Sequence, residues 1–260
     1  MKKLKISILV IIFGLGIYTN VSAQELSGKQ IIEKVYNRPT PPEQTATLTM
    51  TLTNRSGSQR VRTIKQFTKD LGKVEKSIMF FQAPADVKNT SFMNWTYDDD
   101  NKSDDQWIYL PALKKTKRIS SDSKSDYFMG SDFTYDDLGD RKLEDDTHTL
   151  IGEETIDGKE CYVVESVSKD EDYMYSKTKA WIIKEDFIGF KKEFYDEDGD
   201  LLKVLHIKEY KDYDGFIIIN LSEMENVQKN HKTTMNLSDI NISNNLKESL
   251  FTERMMMRGM

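Results

Sequence analysis

The chain has 260 residues, with 43 acidic against 37 basic side chains and a net charge of −6, so it lacks the basic footprint that general nucleic-acid binding needs. A single cysteine, Cys161, allows no internal disulfide, and the fold must rest on its core, which a chain of this length can supply. Beyond the N-terminus no apolar run approaches membrane-spanning length.

Residues 1–23 read as a secretory signal peptide. Lys2, Lys3 and Lys5 form a positive start, residues 6–17 are an apolar run too short to span a bilayer, and Val21, Ser22 and Ala23 supply the small residues of a cleavage site. The expected cut falls before Gln24, and no cysteine stands there to be lipidated, so the expected product is a soluble exported protein. Its net charge is −9, because the removed segment carries three lysines and no acid. Residues 24–260 are expected to form a single domain.

That domain should open with a helix. Ser27 and Gln30 have the spacing of a capping box, Leu26 and Ile31 that of a hydrophobic staple, and Ile31, Ile32, Val35 and Tyr36 form one apolar face. The Pro-Thr-Pro-Pro run at 39–42 ends it. From there the pattern alternates with period two: TLTMTLT, RVRTIKQFTK, KVEKSIMFFQ, TSFMNWTY, QWIYLP and KTKRIS, then CYVVESVS, KTKAWIIK, GFKKEFYD, LLKVLHIKEY, FIIINLSEMEN and KTTMNLSDINI. The acidic run at 196–200 reads as a hairpin turn, and a short helix near 246–251 closes the chain. The expectation is a mainly β fold of about 11 antiparallel strands that must curl or close. The runs IMFF (78–81), WII (181–183) and FIII (216–219) are apolar on both sides, so both faces should be covered at least in part, either by a two-sheet sandwich or by a curved sheet whose apolar concave face is lidded by helices.

Catalytic signals are weak. His148, His206 and His231 are far apart and read as structural or solvated, and Cys161 reads as a small core residue. Motifs for nucleophile elbows, zinc, phosphate loops and dinucleotides are absent, and no cofactor or metal is called for. The acids between Asp98 and Asp105 lack the spacing of a calcium loop and read as a solvated segment.

The most distinctive stretch is residues 106–138, QWIYLPALKKTKRISSDSKSDYFMGSDFTYDDL. Lys114, Lys115, Lys117 and Arg118 make a basic strand that either guards an exposed sheet edge or docks onto an acidic partner or anionic lipid. Phe128, Met129, Gly130 and Phe133 lie in a loop that either folds over a core or lines a cavity mouth, and Ser131 or Asp132 is placed to cap a short helix running to Leu138.

WIYLPALKKTKRIS followed by DYFMGSDFTYDDL resembles the signature of the bacterial outer membrane lipoprotein-sorting protein family, of the LolA/LolB-like superfamily. FFQAPADVKNTSFMNW, YSKTKAWIIKEDF, EFYDEDGDLLKVL and SLFTERMM agree with it, so the resemblance runs from about residue 45 to 256. It implies a half-open antiparallel barrel wrapped over helices, an apolar cavity, and a carrier rather than an enzyme. The implied cargo is a lipid, a lipoprotein acyl chain or another hydrophobic molecule, received beside an RND/MMPL-type exporter. From pattern, Met50, Phe80, Phe92, Trp95, Trp107, Tyr109 and Trp181 are the candidate cavity lining. Phe128, Met129, Gly130 and Phe133 are the candidate gate, and the four cations the docking patch. Transient membrane contact is expected, and nothing calls for more than a monomer. An accessory subunit docking on an envelope complex, and an envelope hydrolase, remain as alternatives.

Overall fold

The computed structural model describes residues 25–99, 101–243 and 245–260, so the signal-peptide reading lies outside the described residues. The first helix, α1 (Gly28–Tyr36), begins where the capping box places it. The Gln30 amide donates to Ser27 Oγ at 3.2 Å and the Ser27 amide to Gln30 Oε1 at 2.9 Å. Leu26 and Ile31 then pack into one apolar cluster with Ile32 and Val35.

Thirteen strands follow among the described residues: β1 (Glu43–Thr53), β2 (Gln59–Asp70), β3 (Val74–Ala83), β4 (Ser91–Tyr97), β5 (Asp105–Leu110), β6 (Lys115–Arg118), β7 (Asp146–Ile156), β8 (Lys159–Ser168), β9 (Lys177–Ile183), β10 (Gly189–Tyr195), β11 (Leu201–Tyr213), β12 (Phe216–Asn226) and β13 (His231–Asn241). A short helix, α2 (Glu253–Arg258), ends the chain. The strand that alternation does not reveal is β7. It lies at a sheet edge and most of its side chains are exposed, so little selects an apolar row there.

All the strands join one antiparallel, open sheet in the order β6-β5-β4-β3-β2-β1-β13-β12-β11-β10-β9-β8-β7. The chain meanders outward from β1 to one edge, then returns inward from the other edge to close against β1 through β13. One connection, residues 119–145, must therefore cross the whole sheet. It does so on the face that also carries α1, here called the inner face.

The crossing shows that the sheet curls. Gln106 on β5 donates to the Tyr135 carbonyl at 2.9 Å, while Lys203 on β11 pairs with Asp137, two residues further along. These strands are seven steps apart in the sheet order, about 34 Å if the sheet were flat at ~4.8 Å per strand. Two residues and two side chains cannot span that, so the strands wrap around the segment that crosses them.

Both faces of β3 and β4 are covered, as the IMFF run requires, whereas Ile219 of the FIII run is exposed. On the inner face Phe81, Phe92 and Ile108 pack with Phe128 and Tyr135 of the crossing segment. On the outer face Ile78, Phe80 and Met93 lie under Phe251 and Met256 of the C-terminal segment. Ser91 Oγ donates to the Met256 carbonyl at 3.1 Å and Lys76 pairs with Glu248 at 2.7 Å, which fixes that segment to β3 and β4.

Candidate functional site

The crossing segment is held by buried polar side chains. Lys203 is wholly buried, paired with Asp137, and stacked between the rings of Tyr175 and Phe194 at 5.0 and 4.9 Å. Burial pulls its ammonium below the ordinary lysine range, against the pull of Asp137. Asp137 also accepts from the Thr134 amide at 2.7 Å and from the Tyr175 hydroxyl at 3.1 Å. Five residues earlier, Asp132 accepts from Thr233 Oγ1 and from His231 Nδ1, each at 2.7 Å. Arg62 donates to the Met129 carbonyl from the far side.

The helix expected over 133–138, capped by Ser131 or Asp132, is a single 3-10 turn at Asp136–Leu138, with Tyr135 at its N-cap and neither expected residue capping it. The Asp137 amide donates back to Thr134 Oγ1 at 3.1 Å, while Asp132 turns away to β13. The acidic segment read as solvated is partly buried too. Asp104 accepts from the Asp140 amide at 2.8 Å and Asp105 from the Tyr97 hydroxyl at 2.8 Å.

Between the crossing segment and the inner face lies a cavity of about 600 Å³, within the size range of small-ligand sites. Its apolar wall is Leu48, Met79, Leu138, Met235 and Leu237. At its other end Thr68, Glu75, Ser77, Asn94 and Thr96 make a polar wall. A second cavity of about 480 Å³ shares Tyr36, Glu75, Thr96 and Asp140 with the first and leads past the end of α1. The two walls follow from strand phase. On β3, Glu75, Ser77, Met79 and Phe81 occupy one row, so the inner face runs from acid to aromatic along a single strand.

Burial, with the carboxylates of Asp70, Asp140 and Asp104, pushes the Glu75 carboxyl above the usual range. Burial also raises Asp140, with Lys142 opposing at 3.4 Å, and burial and the neighbouring Asp140 carboxylate raise the Tyr36 hydroxyl.

Of the sequence-predicted cavity residues, the structure brings Met50 and Phe92 together on the inner face beside Phe128. Phe80, Trp95, Trp107 and Tyr109 gather on the outer face under the C-terminal segment, where the Trp95 and Trp107 rings meet at 5.1 Å. Trp181 stands apart with Cys161, Val163 and Ile183, its indole N–H donating to Glu154 at 2.8 Å. In the loop, Phe128 and Phe133 are buried, Met129 is half-buried and Gly130 is exposed. The basic strand is β6, an edge of the sheet. Arg118 pairs with Asp105, while Lys114, Lys115 and Lys117 are exposed.

The same architecture recurs in solved structures. An outer membrane lipoprotein-sorting protein domain from Vibrio parahaemolyticus is 33% identical, with 89% of this chain and 98% of that one aligned at a TM-score of 0.82. The chain belongs to the outer membrane lipoprotein-sorting protein family. A DUF1329 family protein from Desulfovibrio piger is 27% identical over 88% of this chain and 97% of that one, also at a TM-score of 0.82. A LolA superfamily protein from Nitrosomonas europaea, 19% identical over 89% and 100% of the two chains, shares the fold at a TM-score of 0.67. A family described as "Uncharacterized protein" matches residues 73–258. No curated protein matches.

In this lipoprotein-sorting fold the residues that shape the site are mostly not those chosen from apolar pattern. Glu75, Asn94, Asp132, Asp137, Lys203 and Thr233 carry a signal only in hindsight of phase. Lys203 stands in the row of Leu205 and Ile207, and Glu75 in the row of Met79 and Phe81. A charge on an apolar row marks a buried partner or a ligand.

Proposed function

We propose that this protein is a periplasmic carrier that holds an amphiphilic lipid or the lipid-modified end of a lipoprotein in the inner-face cavity and moves it towards the outer membrane. The observation that carries this is the half-lined cavity itself: an apolar wall of Leu48, Met79, Met235 and Leu237 opposite a polar wall, under a segment that closes over an open sheet. Each buried methylene of a cargo chain is worth about 0.8 kcal/mol there, enough for a modest chain to favour the protein over water. Family membership supports the same reading, and no helix among the described residues is long and apolar enough to cross a membrane.

In this reading residues 1–23 direct export and are removed, and residues 24–260 act as a single, non-catalytic unit. Phe128, Met129, Gly130 and Phe133 gate the cavity by lifting with the crossing segment to which they belong, since Phe128 and Phe133 are buried against the sheet. Lys114, Lys115, Lys117 and Arg118 approach anionic head groups or the acidic surface of an RND/MMPL-type exporter that hands over the cargo.

The test is mass spectrometry of an organic extract of the mature protein, purified without detergent. A stoichiometric lipid or lipopeptide is expected. An empty protein that also fails to bind a fluorescent fatty acid overturns the carrier reading in favour of an accessory subunit.

A further inference from the structure

We infer that the cavity selects an amphiphile whose head group is cationic and donates hydrogen bonds, such as a primary amine, and that Glu75 and Asn94 receive it. This rests on the carrier reading and specifies its cargo class.

Charge distribution points this way first. Among the described residues lining the cavity there is no lysine, arginine or histidine, while Glu75, Asp137 and Asp140 are present. Asp137 is already neutralised by Lys203, and Asp140 is paired with Lys142. Glu75 has no such partner. Every neighbour acting on it is another carboxylate, and the adjoining cavity adds Asp70, Asp98 and Asp99 against the single cation Lys142.

An independent sign comes from Asn94, which is 6% exposed and lines the same cavity. Its amide nitrogen donates to Thr96 Oγ1 at 2.9 Å, but its Oδ1 has no donor. A buried acceptor without a donor is costly unless a ligand supplies one. Glu75 stands opposite Thr96, and Ser77 opposite Asn94, across the β3–β4 pair, so Glu75 and Asn94 are diagonal neighbours on one face. One ammonium group has donors enough for both.

A bare metal ion fits less well, because no three His, Cys, Asp or Glu side chains among the described residues are grouped to hold one. The apolar wall continues from Met79 towards Leu48 and Met235, so a head group at Glu75 directs its tail along that wall. The acids that surround Glu75 would also repel carboxylate and phosphate head groups.

Isothermal titration of the mature protein with dodecylamine, dodecanoate and dodecyl maltoside, each below its micelle concentration, tests this. Dodecylamine should bind at least about tenfold tighter than dodecanoate. Glu75→Gln should erase that preference while leaving maltoside binding in place. Equal or reversed preference in the wild type, with maltoside still bound, overturns the head-group inference and leaves the carrier reading standing. A preference that survives in folded Glu75→Gln overturns the assignment to Glu75. Should that variant fail to fold, Asn94→Leu takes its place, with the same loss of preference expected. Failure of all three ligands to bind the wild type removes the carrier reading itself.

Discussion

Lys203 and Asp137 form an ion pair with the lysine side chain wholly out of solvent, joining the start of β11 to a segment 66 residues earlier in the chain. The pair sits where the crossing segment bends under the curled sheet. It therefore decides where the roof of the cavity lies.

Removing one partner should leave a buried charge without compensation. Lys203→Met is expected to lower unfolding free energy by about 3–5 kcal/mol in urea titrations. Lys203→Met with Asp137→Asn should recover most of this, because asparagine keeps the acceptor for the Thr134 amide without the charge. Equal destabilisation in single and double variants would show that packing, not charge, holds the segment.

Glu75 gives a pH-dependent stability with a defined sign. Its carboxyl is raised in the folded state by burial and by Asp70, Asp140 and Asp104. Its contribution is fully present below the ordinary glutamate range and is lost as pH rises through the folded value. Glu75→Gln should therefore raise the melting temperature at neutral pH, with the gain fading below about pH 4, measured by thermal scans across pH. A residue that weakens the empty fold in this way is consistent with one kept for binding.

Gly28 is required by a close approach. A Cβ built on it would lie 2.6 Å from the Leu150 amide nitrogen and 2.7 Å from the Thr149 carbonyl carbon, both backbone atoms of β7. Gly28→Ala should cost about 1–3 kcal/mol, the usual range for overpacking. Hydrogen exchange should quicken in α1 and β7 while the β3–β4 pair stays protected.

The basic edge can be tested without touching the core. Reversing Lys114, Lys115 and Lys117 to glutamate should leave circular dichroism unchanged and weaken flotation with anionic vesicles, each cation being worth about 1 kcal/mol near such a surface. The difference should shrink as salt is added. Unchanged vesicle binding with new aggregation would make β6 an edge guard only.

How much was legible in sequence varies from element to element. The capping box at Ser27 and Gln30 placed α1, and period-two alternation located every strand except β7, because those patterns are local consequences of backbone geometry. The lipoprotein-sorting resemblance was carried by a contiguous stretch, and for the same reason it could be read without the fold. The IMFF run announced that both faces of β3 are covered.

Sequence could not say which face is which. Phe80 and Phe81 are adjacent and equally apolar, yet one lies under α2 and the other under the crossing segment, because alternation has no sign until the sheet curls. The strand order put β6 and β7 at opposite edges, and that alone forced residues 119–145 across the inner face. Only then did Lys203 meet Asp137, Asp132 meet Thr233, and Glu75 come to share a wall with Asn94. Local pattern determined the strands. The cavity depends on contacts between residues far apart in the chain, and those exist only once a thirteen-stranded sheet has bent around one connection.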